Sequence, residues 1–457
     1  MDVDRPSSST PLLPGGGKGA PAIWLERLCI CFIGAAATAP VYFILYCLGW
    51  LKLLQGNSVV LVLLVTFYPA GLVTLLLQMF YDYKFDTAYG RHRAMFVRFL
   101  ISVSINVGLV PAILPHASNK TILYSMFIIL GFANAACVGS LYEVCLQMPS
   151  QVKAVQYLSI GLQSGGVLAG VLGLATGFTT LEAELYIQAN GTSLPFEAKA
   201  FAWSTCLLCL IGLASILVLH FISPNYRATI KGTTGAINRG PPEWGESLRA
   251  VCGPLALPIF TLIVTTSFTA LTTGFYPFTP SAQYKDNPWQ NSALVVILVY
   301  ANQVFDLVGR GFTAQLSCPS ANMLLYLTCA RAGIVAPLFF LYIGQSLIYA
   351  DAIPVLLIAT LQVSHGMLQT WAFVHSAKPE TLSQLSNIGV QEKKDLSSMS
   401  SGLEGDRANN CQESLEPDED KGKELLPWVS KVLMISLQTA VVIGGIAGHG
   451  IVMLFGM

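Results

Sequence analysis

The chain is organised as long apolar runs separated by polar segments. Runs fall at 24–49, 58–81, 94–115, 121–145, 155–178 and 200–222, and again at 251–276, 292–316, 322–345, 351–375 and 432–456. A bilayer core about 30 Å thick is crossed by roughly 20 helical residues rising about 1.5 Å each. The runs are continuously apolar rather than alternating, which excludes an outer-membrane barrel. The pattern therefore predicts an all-α integral membrane protein of eleven transmembrane helices. Residues 1–23 read as a flexible polar tail without the apolar core of a cleaved signal peptide. Residues 24–222 form a six-helix unit and 223–249 a polar linker. Residues 250–457 form a five-helix unit interrupted by a polar segment at 376–431, whose composition is that of disordered chain.

The basic residues orient these helices. With the N-terminus in the cytoplasm, nineteen Lys and Arg fall on that side and four (Lys52, Lys120, Lys199 and Lys285) on the other, leaving Arg310 and Arg331 within helices. That asymmetry is the positive-inside pattern. Two glycosylation sequons, at Asn119 and Asn190, then lie in outer loops. The odd helix count puts the C-terminus outside, and a multi-pass protein of the plasma membrane is expected.

Composition supports lipid as the solvent. The 457 residues are 53% hydrophobic and 11% charged, where soluble domains carry roughly 25% charge. Acidic and basic residues balance at 25 each, which gives no reason to expect a nucleic-acid partner. Eleven cysteines lie mostly in apolar runs. Cys206 and Cys209 form a C-x-x-C inside a predicted helix without His or acidic neighbours, so they read as packing residues rather than a metal or redox site. No Walker A, H-E-x-x-H or G-x-S-x-G motif is present. The chain is thus read as neither an ATP-driven pump nor an enzyme, and as needing no cofactor or metal.

Chemistry concentrates in the eighth run, Asn302-Gln303-Val304-Phe305-Asp306-Leu307-Val308-Gly309-Arg310. Asp306 and Arg310 are four apart and share a helix face, with Gln303 beside them. Charges inside a membrane cost several kcal/mol and face a partner or a cavity. The pair is either an internal brace or a site for a hydroxylated, uncharged solute. Arg331 in the ninth run lacks a carboxylate within its own helix and is open to a structural or a gating role. Arg98 opens the third run, Glu143 ends the fourth, and His365 and His375 lie in the tenth. Gly166-x-x-x-Gly170 and Gly173-x-x-x-Gly177 mark close helix packing. Pro254 and Pro258 predict a bend in the seventh helix.

Several segments resemble the equilibrative nucleoside transporter family. Phe305-Asp306-x-x-Gly309-Arg310 is similar to the corresponding helix of that family. Gly139-Ser140-Leu141 with Pro149, Ser164-Gly165-Gly166-Val167-Leu168-Ala169-Gly170, Ala330-Arg331 with Pro337-Leu338-Phe339, and Ser364-His365-Gly366 with Ala377-Lys378-Pro379 resemble family segments in the same order. The resemblance implies a fold like the major facilitator superfamily, with six- and five-helix bundles moving by alternating access. It implies that Asp306 and Arg310 hold ribose hydroxyls, that Arg98 reaches the sugar, and that Ser140 lines a base pocket. Val41, Val138 and Gln303 stand where the family commonly has Trp, Gln and Asn, so a divergent member with its own base preference is expected. The expected function is facilitative transport of nucleosides, purine nucleosides such as adenosine and inosine among them, with nucleobases as further candidates. The partners are this solute and the lipid bilayer, and a monomer is expected. A proton-coupled symporter and a non-transporting receptor or structural protein are the alternatives.

Overall fold

In a computed structural model of the protein, the described residues are 20–56, 58–178, 194–232, 251–273, 288–344, 352–378, 380–381, 383–384 and 425–454. Among them, eleven helices have 18 residues or more and no strand occurs. They are α1 (Ala20–Tyr46), α2 (Ser58–Tyr89), α3 (Arg91–Ile113), α4 (Lys120–Gln147), α5 (Ala154–Ala175), α6 (Phe196–Ile222), α7 (Ala256–Thr273), α8 (Pro288–Gln315), α9 (Ala321–Gly344), α10 (Ala352–Ser376) and α11 (Leu426–Leu454). Eight of these, α1 to α6 with α10 and α11, are long and apolar enough to cross a membrane. Side chains such as Ile101, Trp203, Leu207, Phe221 and Leu356 stand exposed around the helices, as expected of surfaces facing lipid.

The helices pack in two groups. In the first, α5 and α6 lie against α1, α3 packs on α4 and α6, and α2 packs on α4. In the second, α7 contacts α9, α10 and α11, and α8 and α9 both pack on α10. The groups meet where α11 touches α2 and α4, and where α5 touches α8 and α10.

Glycines set the closest approaches. A Cβ on Gly161 of α5 would lie 2.3 Å from the Cys31 carbonyl oxygen of α1, and one on Gly165 would lie 2.4 Å from Thr38 Oγ1. The Thr38 hydroxyl donates to the Leu162 carbonyl across the same contact (2.6 Å). Further along α5, Gly166 and Gly170 leave room for Tyr42, Tyr46, Tyr300 and Gln303, whereas Gly173 has only ordinary contacts and Gly177 takes a positive φ of 74° after the helix ends. A Gly161→Val substitution is expected to force α1 from α5. Overpacking of this kind costs about 1–3 kcal/mol or more, seen as a lower Tm in detergent; an unchanged Tm would refute the contact.

Prolines inside α1 and α3 explain the C-x-x-C. Pro40 cannot donate to the Ala36 carbonyl, and Pro111 cannot donate to that of Val107. Cys209 Sγ of α6 donates to Ala36 O (3.7 Å), joined there by Asn106 Nδ2 (3.2 Å), and Cys206 Sγ donates to Val107 O (3.5 Å). Both thiols, like the other described cysteines, are free. In a membrane, freed carbonyls need such donors from neighbouring helices.

Four of the departures from the sequence reading change the picture. Helix α2 continues two turns past residue 81 because Asp82 and Asp86 find cationic partners there. Gly253–Leu255 form a turn, so α7 starts at Ala256. Pro254 disfavours helix at the preceding residue, and Pro258 sits in the first turn, where its missing donor costs nothing; neither proline bends the helix midway. Helix α11 starts at Leu426, six residues early, which brings Lys431 inside the bundle. The linker begins with a helix, Pro224–Gly232, tied to α1 by Glu26. The Glu26 carboxylate accepts from Ser223 Oγ, from Asn225 N (3.0 Å) and from Asn225 Nδ2 (2.7 Å). Of the predicted 1–23 tail, residues 20–23 instead open α1, where they continue its apolar run; residues 1–19 of the tail, 233–250 of the linker and 385–424 of the 376–431 segment lie outside the described residues.

Candidate substrate site between the bundles

Asp306 and Arg310 sit on the face of α8 that looks toward α5 and α10, both about 5% exposed. Two glycines make that placement possible. A Cβ on Gly309 would be 2.2 Å from the Val363 carbonyl, and one on Gly366 would be 2.6 Å from Asp306 Oδ1. The carboxylate receives Arg310 Nε at 3.2 Å and Nη2 at 3.1 Å, a two-point fork. Arg310 Nη1 reaches Ser159 Oγ (2.9 Å) and Ser159 O (3.4 Å) of α5, and Nη2 also donates to Gln369 Oε1 of α10. Five hydrogen bonds thus occupy the five guanidinium donors. The two bundles are also joined here by Ser159 and Thr370 hydroxyls at 2.6 Å and by stacked Tyr142 and Phe373 rings 4.0 Å apart.

A cavity of about 180 Å³ opens beside this pair. Its lining mixes polar residues, Arg310, Gln369, Gln163, Asn134, Thr38, Tyr42 and Gln438, with apolar and aromatic ones such as Phe67, Tyr68, Val138, Met434, Leu437 and Val441. Helices of both groups contribute. Above Arg310, the Tyr42 hydroxyl donates to Gln163 Oε1 (3.0 Å), and Gln163 Nε2 donates to Gln303 Oε1 (2.5 Å). Toward the opposite end from Gly90, Tyr46 and Tyr300 rings pack 5.3 Å apart, and the Tyr300 hydroxyl donates to Gly170 O (3.1 Å).

Of the residues singled out in the sequence, Val41, Val138 and Arg310 line the cavity. Asp306 holds Arg310 from behind, and Gln303 reaches the cavity through Gln163. Ser140 stands apart: it is fully buried, and its hydroxyl accepts from Gln78 Nε2 (3.2 Å) of α2. Arg98 also stands apart, bound to Asp82 Oδ1 (3.1 Å) and Asp86 Oδ1 (2.5 Å). Arg331 of α9 donates to Thr265 O (2.9 Å) and Thr269 Oγ1 (2.6 Å) of α7, inside the second group. Asn119 is exposed and caps α4 by accepting from Ile122 N (3.2 Å), and Asn190 lies outside the described residues.

The largest feature missed in the sequence is an ion cluster at the end of the bundle where α2 turns into α3. Glu143 Oε1 pairs with Arg91 (2.8 Å), and Lys431 Nζ pairs with Asp82 Oδ2 (2.7 Å) and Glu143 Oε2 (3.5 Å). With Arg98 and Asp86, three carboxylates meet three cations, all largely buried. Lys431 alone among these six comes from the second group. Nearby, Lys153, held at a positive φ of 53°, donates Nζ to the Ala314 carbonyl near the end of α8 (2.6 Å). Helix periodicity carried a signal for part of this: Lys431, Met434, Gln438 and Val441 repeat on one face of α11.

The arrangement matches known transporter folds. The xylose transporter XylE from E. coli, in a partially occluded inward-open conformation, aligns over 95% of this chain and 97% of its own with a TM-score of 0.50 at 10% identity. A second structure of that protein, described as a major facilitator superfamily proton:xylose symporter bound to 6-bromo-6-deoxy-D-glucose, aligns over 95% and 96% with a TM-score of 0.49 at 12% identity. The human organic anion transporter MFSD10 aligns over 96% and 97% with a TM-score of 0.46 at 12% identity. No protein-family model and no curated protein matches the sequence. The chain therefore has an all-helical fold like that of XylE, and its long apolar helices are those of a multi-pass membrane protein.

Proposed function

We propose that the protein is a facilitative carrier of nucleosides, purine nucleosides such as adenosine and inosine among them, working by alternating access between the two bundles. The observation that carries this reading is the mixed lining of the cavity. Its carboxamides, and the Arg310 guanidinium once it exchanges protein partners for solute, suit sugar hydroxyls, and its aromatic and aliphatic side chains suit the flat face of a base. Asp306 neutralises Arg310, so the lining favours a hydroxylated solute without net charge. Both Asp306 oxygens are held by Arg310, which supports transport without a proton riding on that carboxylate. The wider reading has the N-terminus in the cytoplasm, eleven spans, outer sequons and residence in the plasma membrane as a monomer.

The test is uptake of labelled adenosine, inosine and uridine by proteoliposomes holding the purified protein. Saturable uptake is expected, levelling when inner and outer concentrations match and indifferent to an imposed pH difference. Accumulation driven by a proton gradient would overturn the facilitative mechanism, and absence of uptake for all three would overturn the substrate class.

A further inference from the structure

The end of the bundle where α2 turns into α3 carries cations that the ion cluster does not use. The linker helix Pro224–Gly232 docks there through Tyr226 and Ile230, each 1% exposed, against α3, α4 and α6. Arg227 and Lys231 each follow one of these anchors, so they share the adjoining helix face, which is exposed. Both stand close enough to His92 of α3 for their charges to act on its ring, and Arg227 acts likewise on His220 of α6. The two imidazoles stack 3.8 Å apart. Arg227 is steadied by its Nε donating to Ser223 O (3.2 Å). Neither Arg227 nor Lys231 pairs with a carboxylate among the described residues, and Asp82, Asp86 and Glu143 nearby are committed to Arg91, Arg98 and Lys431. Like charges four apart on a helix repel, so an anion between them is favoured.

An apolar seam continues from the imidazoles along the outside of the bundle. The His220 ring packs 4.3 Å from Phe96 and 4.9 Å from Phe221. Beyond them Val97 and Ile101 of α3 and Leu217 and Phe221 of α6 are exposed. His92 lies in the first turn of α3 and His220 in the last turn of α6, which sets the rings at the depth of lipid headgroups and the seam at the depth of acyl chains.

We propose that this seam is a binding site for an anionic membrane phospholipid. Arg227 and Lys231 take the headgroup phosphate, the stacked imidazoles form the floor beneath it, and an acyl chain lies along α3 and α6. The positive-inside reading puts this end in the cytoplasm, whose leaflet carries the anionic lipids. A free phosphate ion would meet the same cations but leave the apolar seam unused, so the lipid is the assigned occupant.

The experiment titrates the full chain in neutral detergent micelles with dioleoyl phosphatidic acid or dioleoyl phosphatidylcholine and follows Tm. Phosphatidic acid is expected to raise Tm saturably and phosphatidylcholine to leave it nearly level. Each cation near a membrane surface is worth about fivefold in lipid affinity, so Arg227→Gln with Lys231→Gln should raise the half-saturating mole fraction by about twenty-fivefold. The lipid-free Tm should match wild type, because both side chains are exposed. Lys120→Gln with Lys199→Gln, at the other end of the bundle, should bind as wild type does. Equal weakening in the two double variants would mean diffuse attraction and overturn the site. Inorganic phosphate that raises Tm as far as phosphatidic acid would overturn the lipid as occupant. Should the Arg227/Lys231 double variant be unstable without lipid, Arg227→Gln alone decides: about a fivefold shift supports the site, and an unchanged half-saturation overturns it.

Discussion

Asp306→Asn is expected to abolish nucleoside uptake, and pairing it with Arg310→Gln is expected to restore the fold without restoring transport. In the single variant the guanidinium keeps Ser159 and Gln369 but loses the charge that balances it, and stripping one partner from a buried pair costs about 3–5 kcal/mol. A fall in Tm and in surface expression would follow even if the pair were only a brace. The double variant separates the two roles. It removes both charges, so Tm should recover most of the loss. Uptake should stay at least about tenfold below wild type, since a charge-assisted contact from Arg310 to substrate is worth about 1.5–3 kcal/mol. Transport near the wild-type rate by the double variant would reduce Asp306 and Arg310 to internal structure.

Lys431→Met is expected to have the second largest effect. Lys431 is the one cation that the second helix group contributes to the ion cluster, and without it Asp82, Asp86 and Glu143 face only Arg91 and Arg98. An uncompensated buried carboxylate repels its neighbours and draws water, so α11 should part from α2 and α4 at that end. Uptake should fall by about tenfold or more, scaled to a coupling of at least about 1.4 kcal/mol. Asp82→Asn combined with Lys431→Met removes one charge of each sign and should regain much of the activity. Additive losses in the double variant would mean that the two residues act independently and that the cluster does not join the bundles.

The long apolar runs were enough to read an all-helical membrane fold with its helices in the right order, because a bilayer penalises any backbone that does not satisfy itself. The Asp306–Arg310 contact was legible for the same reason: a carboxylate and a guanidinium four residues apart in an apolar helix have few places to go. What depended on contacts between distant helices was not legible. The sequence placed Asp82 and Asp86 in a solvated connection, and only the approach of Lys431, some 350 residues away, and of Arg98 keeps that stretch helical and buried. Arg98 and Ser140 were placed at the site by resemblance, yet each is engaged by α2 instead. Cys206 and Cys209 looked like inert filler; their hydrogen bonds depend on which carbonyls the prolines of other helices release. The cavity's carboxamides at 134, 163, 369 and 438 carry no local pattern, being single polar residues spread over four helices.

The five hydrogen bonds around Arg310 bear on the half of the cycle in which nothing is carried. A facilitative carrier must return empty after each delivery, and a bare cation at its centre would resist closure around a vacant, drying site. Here Asp306, Ser159 and Gln369, drawn from both bundles, satisfy all five guanidinium donors with protein groups. Entering solute then exchanges one set of contacts for another of similar worth. Under the proposed facilitative function, such a site binds loosely and releases readily, and the direction of net flow is left to the two concentrations.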